Sequence, residues 1–186
     1  MNAERTQVLG LEESLSLVQD TLKGRRFDGV FGFSQGAAFA AVIAALLERP
    51  QLYPSFLVDG QPLHPPLKFC VAVSGFKVRD PLCDSIFAQP FSTPTLHVIG
   101  KTDIIVTEER SRLLVEASSD GRVEEHDGGH FVPSKGHWRK FLRDYMRDNL
   151  ADIPSPGLLA SSAPASGAAT PIPGGSGGGP ALMMKL

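Results

Sequence analysis

The sequence has few of the residues that mark secreted, membrane-bound or nucleic-acid-binding proteins. Its two cysteines, Cys70 and Cys83, are too few for a disulfide framework, which favours a reducing compartment such as the cytoplasm. The first residues lead into no apolar stretch like that of a signal peptide, and no run approaches the roughly 20 apolar residues of a membrane span. The net charge of −2, with acids and bases interspersed, argues against nucleic acid or an anionic membrane surface as a partner.

Two regions of different composition make up the 186 residues. Residues 1–150 have the composition of one globular domain, and a core of this size buries most of its apolar surface. Most of residues 151–186 are Ala, Gly, Pro or Ser, which cannot bury enough surface to offset the entropy lost on ordering. We therefore predict one folded domain at 1–150, followed by a disordered tail at 151–186.

A G-x-S-x-G motif, with Gly32 and Gly36 on either side of Ser34, lies between a strand-like and a helix-like segment. Residues 27–31 are short and apolar, and the alanine-rich residues 37–47 are strong helix formers. A strand that turns sharply into a helix holds the middle residue in a strained, exposed position. Both glycines are expected because a Cβ at either would collide across the turn. The motif indicates a nucleophilic serine; the alternative is a glycine-rich turn with a solvent-facing serine, as in nucleotide-binding folds.

A catalytic serine of this kind needs an aspartate and a histidine on loops after later strands. Asp103 follows a strand predicted at Thr95–Gly100, and His130 follows one predicted at residues 122–126. The ends of parallel strands open onto one edge of a sheet, so Ser34, Asp103 and His130 can converge there. This order predicts a Ser-His-Asp triad. The alternatives are an aspartate that only caps a turn and a histidine that is only a solvated loop residue.

The other histidines do not predict a metal site. His97 lies in the middle of a predicted strand and is expected in the core. His126, Asp127 and His130 fall at a strand–loop junction rather than on one helix face, and the sequence has no second ligand cluster. We therefore expect neither a metal nor a cofactor.

Apolar residues near the ends of the predicted strands are candidates for an acyl-binding pocket. Phe76 follows the strand predicted at Phe69–Val73, whereas Ile104 and Phe131 adjoin the two triad partners. These side chains would surround Ser34 and hold an acyl chain, but ordinary core packing explains them equally well. Further candidates are Ile86, Phe87, Phe91 and Ile105.

Helices predicted at residues 11–22, 108–117 and 134–150 alternate with the strands. This alternation is typical of an α/β fold with a mainly parallel sheet flanked by helices. The five prolines of residues 48–68 predict a long excursion that either lines the entrance to the site or only covers the surface.

Several of these segments together resemble the FSH family of serine hydrolases, which includes the ovarian-cancer-associated esterases and fungal thioesterases that release polyketide chains. The matching segments are residues 10–15 (GLEESL), 27–38 (FDGVFGFSQGAA), 73–76 (VSGF), 96–103 (LHVIGKTD) and 128–133 (GGHFVP). The resemblance implies an α/β-hydrolase fold and cleavage of a small carboxylic ester or thioester. By motif match it places the triad on Ser34, Asp103 and His130, and one oxyanion donor on the amide of Gln35.

The resemblance also exposes a departure from the family pattern. Family members begin with a strand that ends in a Leu-His-Gly-Phe-like segment, and residues 1–9 are too short and too polar to supply it. The loop after that strand gives the second oxyanion donor in the family, and losing one donor costs about 10²–10³ in kcat. The expectation is an N-terminally shortened α/β-hydrolase in which one side of the strand at Val30–Phe31 is unpaired. A fragment, an alternative start and a shortened gene product all fit.

Three functions remain open from the sequence. The first is a serine hydrolase that cleaves esters or thioesters through Ser34. The second is a catalytically weak or silent hydrolase domain that acts by binding or by pairing with a partner chain. The third is a transacylase, which uses the same triad but excludes water from the acyl-enzyme.

Overall fold

The computed structural model describes residues 8–161, which are organised around a four-stranded parallel sheet. Its strands are β1 (Gly29–Phe33), β4 (Phe69–Val73), β5 (Thr95–Gly100) and β6 (Gly121–His126), in the spatial order β1-β4-β5-β6. Between β1 and β4 in sequence, β2 (Leu57–Val58) and β3 (Gln61–Pro62) form a separate antiparallel pair. The two central strands are buried on both faces, which explains their nearly continuous apolar sequences.

Helices cover both faces of the sheet. They are α1 (Leu11–Leu22), α2 (Gln35–Glu48), α3 (Pro81–Ile86), α4 (Glu108–Val115), α5 (Gly136–Arg147) and α6 (Pro156–Ser161). Side chains alternate along a strand, so Cys70 and Ala72 of β4 join the core beneath α1 to α4, whereas Val71 and Val73 join the core beneath α5. This arrangement confirms the predicted α/β fold with a mainly parallel sheet flanked by helices.

α2 packs against both β1 and β4 and is buried almost all round. Its small alanine side chains allow close approach to the sheet, and an apolar surface on every side is typical of a central, buried helix. Its first residue, Gln35, directly follows Ser34. The packing of α2 therefore fixes the position of the serine relative to the sheet.

β1 is an edge strand in the part of the chain that the structure describes. It pairs with β4 on one side, and no strand within residues 8–161 pairs with its other side. Phe31 in β1 is 43% exposed, whereas every residue of the central strand β5 is buried. Within residues 8–161, one side of the strand at Val30–Phe31 is therefore unpaired.

The proline-rich excursion of residues 48–68 covers the core. Phe56 and His64 are almost completely buried, and His64 Nε2 accepts a hydrogen bond of 2.9 Å from the amide of Phe27. Leu63 and Leu67 join the same apolar cluster as Phe56. The excursion therefore stabilises the domain rather than lining the entrance to the site.

The packed part of the chain continues beyond the predicted boundary at residue 150. Ile153 is 9% exposed and packs in the apolar cluster of α5, and its carbonyl accepts a hydrogen bond of 2.7 Å from Arg122. α6 follows at Pro156–Ser161. The buried Ile153 side chain and this hydrogen bond together hold the stretch against the domain. The rest of the predicted tail, residues 162–186, lies outside the described residues.

None of the helices within residues 8–161 is both long enough and apolar enough to cross a membrane.

Candidate active site

Ser34 occupies a sharp turn between the last residue of β1 and the first residue of α2. Its backbone has φ 55° and ψ −121°, which is a strained conformation for a residue with a side chain. Its amide donates to the carbonyl of Val73 at 2.9 Å, and its carbonyl accepts from the amides of Ala37 and Ala38 at 3.0 and 3.1 Å. Contacts to β4 and to the first turn of α2 therefore hold the strained backbone in place.

The two glycines of the motif differ in their surroundings. A Cβ on Gly32 would lie 2.2 Å from the carbonyl oxygen of Gly36 and 2.6 Å from Cα of Ala37. A Cβ on Gly36 would meet nothing within 4 Å. The expected collision is thus correct for Gly32 and wrong for Gly36, because Gly32 faces the inside of the turn whereas the Gly36 position faces open space.

Alanine substitutions at the two glycines should therefore have opposite outcomes. Gly32→Ala forces the turn apart, and we expect it to lower the free energy of unfolding by about 1–3 kcal/mol and to remove Ser34 reactivity. Gly36→Ala adds no contact and improves helix propensity, so it should preserve both the free energy of unfolding and the reactivity of Ser34. Urea denaturation and labelling with a fluorophosphonate probe measure the two effects. Similar losses in both variants would contradict this account of the turn.

The structure brings Ser34, Asp103 and His130 together. His130 Nδ1 lies 2.7 Å from Oδ2 of Asp103, and His130 Nε2 lies 2.9 Å from Oγ of Ser34. An ionised carboxylate can only accept hydrogen bonds, so Nδ1 carries the proton. Nε2 is then free to accept a hydrogen bond from the Ser34 hydroxyl. This is the arrangement in which an imidazole can act as a general base on a serine.

The Asp103 carboxylate is held ionised by its hydrogen bonds. Burial alone would raise the pKa of Asp103, but the hydrogen bonds from His130 and from the amides of Val106 and Ile105 outweigh it and lower the pKa below its usual value. Both amides bond Oδ1 at 2.9 Å. The buried Ser74 hydroxyl also favours the ionised carboxylate, although it makes no hydrogen bond of normal geometry.

Aromatic rings fix the loop that carries His130. The Phe33 ring lies 4.8 Å from the His130 ring, between centroids. His126 packs against Phe131 and Trp138, and its Nδ1 accepts a hydrogen bond of 3.2 Å from the amide of Gly128. Burial lowers the pKa of His126, which keeps the ring neutral and able to accept that bond.

Other residues that could carry nucleophilic or metal chemistry do not form a second site. Burial raises the pKa of Cys70 to about 12, and burial together with the charges of Asp80 and Asp84 does the same for Cys83. Both thiols are therefore inert core residues at neutral pH. Within residues 8–161, no three His, Cys, Asp or Glu side chains cluster in a way that could hold a metal ion.

The predicted pocket residues divide into three groups. Phe76 lines a cavity beside Gln35, and its contact with an acyl chain stays a prediction. Ile104, Ile105 and Phe131 are 87%, 59% and 49% exposed on the loops that carry Asp103 and His130, and they do not line that cavity. Ile86, Phe87 and Phe91 are buried in the core, so the alternative of ordinary core packing holds for them.

An apolar groove of about 330 Å³ opens next to the turn. Sequence reasoning missed most of its wall, which comes from the segment before α1, from α2 and from the chain after β4. The groove is open to solvent on the side of Leu9, which is 90% exposed. Its lining residues are Val8, Leu9, Gly10, Leu11, Ser14, Gln35, Gly36, Ala38, Phe39, Phe76 and Val78.

Comparison with known proteins is consistent with this geometry. The family described as "Serine hydrolase (FSH1)" matches residues 1–142. Esterase OVCA2 of Danio rerio is 38% identical over 141 residues, which cover 75% of this chain and 58% of that protein. A dihydrofolate reductase of Schizosaccharomyces pombe is 37% identical over 136 residues, which cover 73% of this chain and 28% of that protein.

Solved structures give the same fold. The crystal structure of Zea mays acyl-protein thioesterase 2 matches with a TM-score of 0.53 at 21% identity, covering 76% of this chain and 65% of that chain. The chain spans little more than half the length of the esterase relative and about a quarter of the reductase. Because the family match covers most of the chain, the protein belongs to the FSH1 family of serine hydrolases.

Proposed function

We propose that the protein hydrolyses carboxylic esters or thioesters through an acyl-enzyme formed on Ser34. The observation that carries the proposal is the position of the His130 imidazole, within hydrogen-bond distance of both Ser34 Oγ, at 2.9 Å, and Asp103 Oδ2, at 2.7 Å. The match to proteins named esterases supports the same chemistry.

In the proposed reaction, Ser34 Oγ attacks the carbonyl carbon while His130 Nε2 takes its proton. The imidazolium is stabilised by Asp103, and it then gives the proton to the departing alcohol or thiol. Water, activated by the same imidazole, attacks the acyl-enzyme and releases the carboxylic acid. Every proton passes through His130, so no metal or cofactor is required.

The tetrahedral intermediate carries a negative charge, which needs hydrogen-bond donors. Gln35 is the first residue of α2, and a first-turn amide has no acceptor within its own helix. Its N–H follows the nucleophile directly, and the helix dipole also favours an anion there. We assign the Gln35 amide as an oxyanion donor.

Peptide mapping after covalent labelling tests the proposal directly. The full chain is incubated with a fluorophosphonate probe, digested and analysed by mass spectrometry, and the expected result is a single modified residue, Ser34. A panel of p-nitrophenyl esters and thioesters should then be turned over, with an initial burst of product for those substrates whose deacylation is slower than their acylation. Modification at another residue, or no modification with the chain folded, would exclude this mechanism.

A catalytically weak or silent domain is the second candidate function. Two features favour this second candidate. The edge of β1 directly before Ser34 is open, and only one oxyanion donor is assigned. In that case the chain would label slowly and turn over no ester above the background of a Ser34→Ala variant. A transacylase would instead label normally and pass the acyl group to an added alcohol in preference to water.

A further inference from the structure

A cavity of about 790 Å³ lies beside Gln35, and its wall is positively charged. Three cations line it, Lys77, Arg79 and Arg110. Of the residues that line it within the described part of the chain, none is acidic. The chain as a whole has a net charge of −2, so this concentration of positive charge runs against the overall balance.

The fold places these cations next to the nucleophile. β4 is the neighbour of β1, and the chain that carries Phe76, Lys77 and Arg79 leaves the end of β4 after Gly75. Ser34 lies at the corresponding end of β1, with its amide bonded to the last residue of β4, Val73. The short segment that follows β4 therefore connects the strand end beside Ser34 to the charged wall of the cavity.

The Arg110 guanidinium is held against the same wall by two contacts. It stacks over the Phe76 ring at 4.6 Å and donates a hydrogen bond of 3.1 Å to the carbonyl of Ile105. Leu113, one turn later on α4, lines the cavity beside it. Because a single bond to a carbonyl leaves most of the five guanidinium donors available, Arg110 keeps donors for a ligand.

The three cations of the cavity are not neutralised by ion pairs within residues 8–161, and the same holds for several other cations, Arg147 among them. The cations that form ion pairs are Lys23, Lys68, Lys101, Arg112, Arg122, Lys140 and Arg143. Lys77, Arg79 and Arg110 form none with the carboxylates of residues 8–161. The adjacent acid, Asp80, accepts the amides of Val8 and Leu82 at 3.0 Å each, so its oxygens are already engaged.

We propose that this cavity binds an anionic group of the substrate, a carboxylate or a phosphate, while the ester or thioester bond lies at Ser34. The inference rests on the proposed function. Guanidinium groups match the geometry of both anions, and a concave wall of one sign raises the local concentration of an oppositely charged ligand. The apolar side chains Phe76, Val78 and Leu113 contact the carbon chain that separates the anion from the scissile bond.

The anion can belong to either side of the scissile bond, and matched substrate pairs distinguish the two. For the acyl side, the mono-p-nitrophenyl ester of adipic acid is compared with p-nitrophenyl hexanoate, which has the same chain length without the charge. For the leaving group, butyryl-coenzyme A is compared with butyryl-pantetheine. We expect kcat/KM to be about tenfold higher for the charged member of one pair, because one charge-assisted hydrogen bond gives a factor of this size. At high salt the kcat/KM of the charged member should fall toward that of the neutral member.

Charge-removing variants connect the preference to the cavity. Arg79→Gln and Lys77→Met should each lower kcat/KM for the charged substrate several-fold more than for its neutral partner. Arg110→Gln should have the same effect, because it removes both the charge and the guanidinium donors. Arg147→Gln, on α5 at the opposite face of the sheet, changes the net charge equally and should leave the preference intact. Equal rates within both pairs, or equal losses in Arg147→Gln and Arg79→Gln, would overturn the proposal.

A separate binding measurement keeps this inference distinct from the proposed function. If no ester or thioester is turned over, the hydrolase proposal fails, and hexyl phosphate and monomethyl adipate are then titrated calorimetrically into the full chain. Salt-sensitive binding that Arg79→Gln weakens about tenfold, but Arg147→Gln does not, would still support an anion site. Absence of such binding would exclude it.

Discussion

Replacement of Ser34 by alanine should abolish fluorophosphonate labelling and lower ester turnover about 10⁴- to 10⁶-fold. The serine Oγ is the only protein atom in the proposed mechanism that forms a covalent bond to the acyl carbon, and without it His130 Nε2 has no side-chain nucleophile to activate. The residual rate should equal that of water held in the site next to the Gln35 amide. Because the turn is held by backbone bonds to Val73, Ala37 and Ala38, the variant should fold normally.

A second serine variant provides the matched control. Ser85 is exposed on α3, and its hydroxyl donates to the carbonyl of Pro81 without contacting the triad. Ser85→Ala should keep wild-type labelling and turnover, and circular dichroism should show the same fold for both variants. Labelling of Ser34→Ala at the wild-type rate would mean that another residue reacts, and the proposed mechanism would then be wrong.

The proximity of Ser34, Asp103 and His130 was predictable because each of them is tied to local sequence. A strand followed by G-x-S-x-G and an alanine-rich segment determines the turn at Ser34. Asp103 and His130 each follow a strand, and parallel strands bring their ends to one edge. The predicted bounds of β4 and β5 are confirmed, because Phe69–Val73 and Thr95–Gly100 are apolar runs with clear turn residues on both sides.

Properties that depend on packing between distant segments were not predictable. The sequence shows the same glycine at positions 32 and 36, but only the packing of α2 against β1 makes one of them sterically necessary. Ile86 and Phe87 are as apolar as Phe76, yet α3 turns them into the core. The segment at Val8 and Leu9 carries no motif, and it lines the groove only because α1 directs it there.

Some strands and helices begin or end at residues other than those predicted from the sequence. β1 begins at Gly29 and continues to Phe33, two residues later than the apolar run indicates, so the strand leads into Ser34 without an intervening loop. α5 ends at Arg147 and not at residue 150, because its buried stripe ends with Tyr145. The position of Ile153 against α5 had no periodic signal to indicate it.

Asp103→Asn should lower kcat about 10⁴-fold while leaving Ser34 and His130 in place. An amide can still accept the hydrogen bonds of Ile105 and Val106 with its oxygen, so its NH₂ group faces His130. His130 must then accept at Nδ1 and carry its proton on Nε2, where it can no longer take the proton of Ser34. Asp127→Asn is the control, because Asp127 is exposed, pairs with Lys101 and does not contact the imidazole. Comparable losses of kcat in the two variants would contradict a specific role for Asp103.

The same substitution should change how stability depends on pH. The pKa of Asp103 is below its ordinary value of 3.8 in the folded chain, so its ionised form stabilises the fold above that value. This stabilisation is lost as the pH falls through the folded pKa, and the Asp103→Asn variant never has it. Urea denaturation should therefore show the largest difference between wild type and Asp103→Asn near neutral pH and a shrinking difference below about 3.8. A constant difference across this range would mean that the carboxylate is not held ionised by His130 and the two amides.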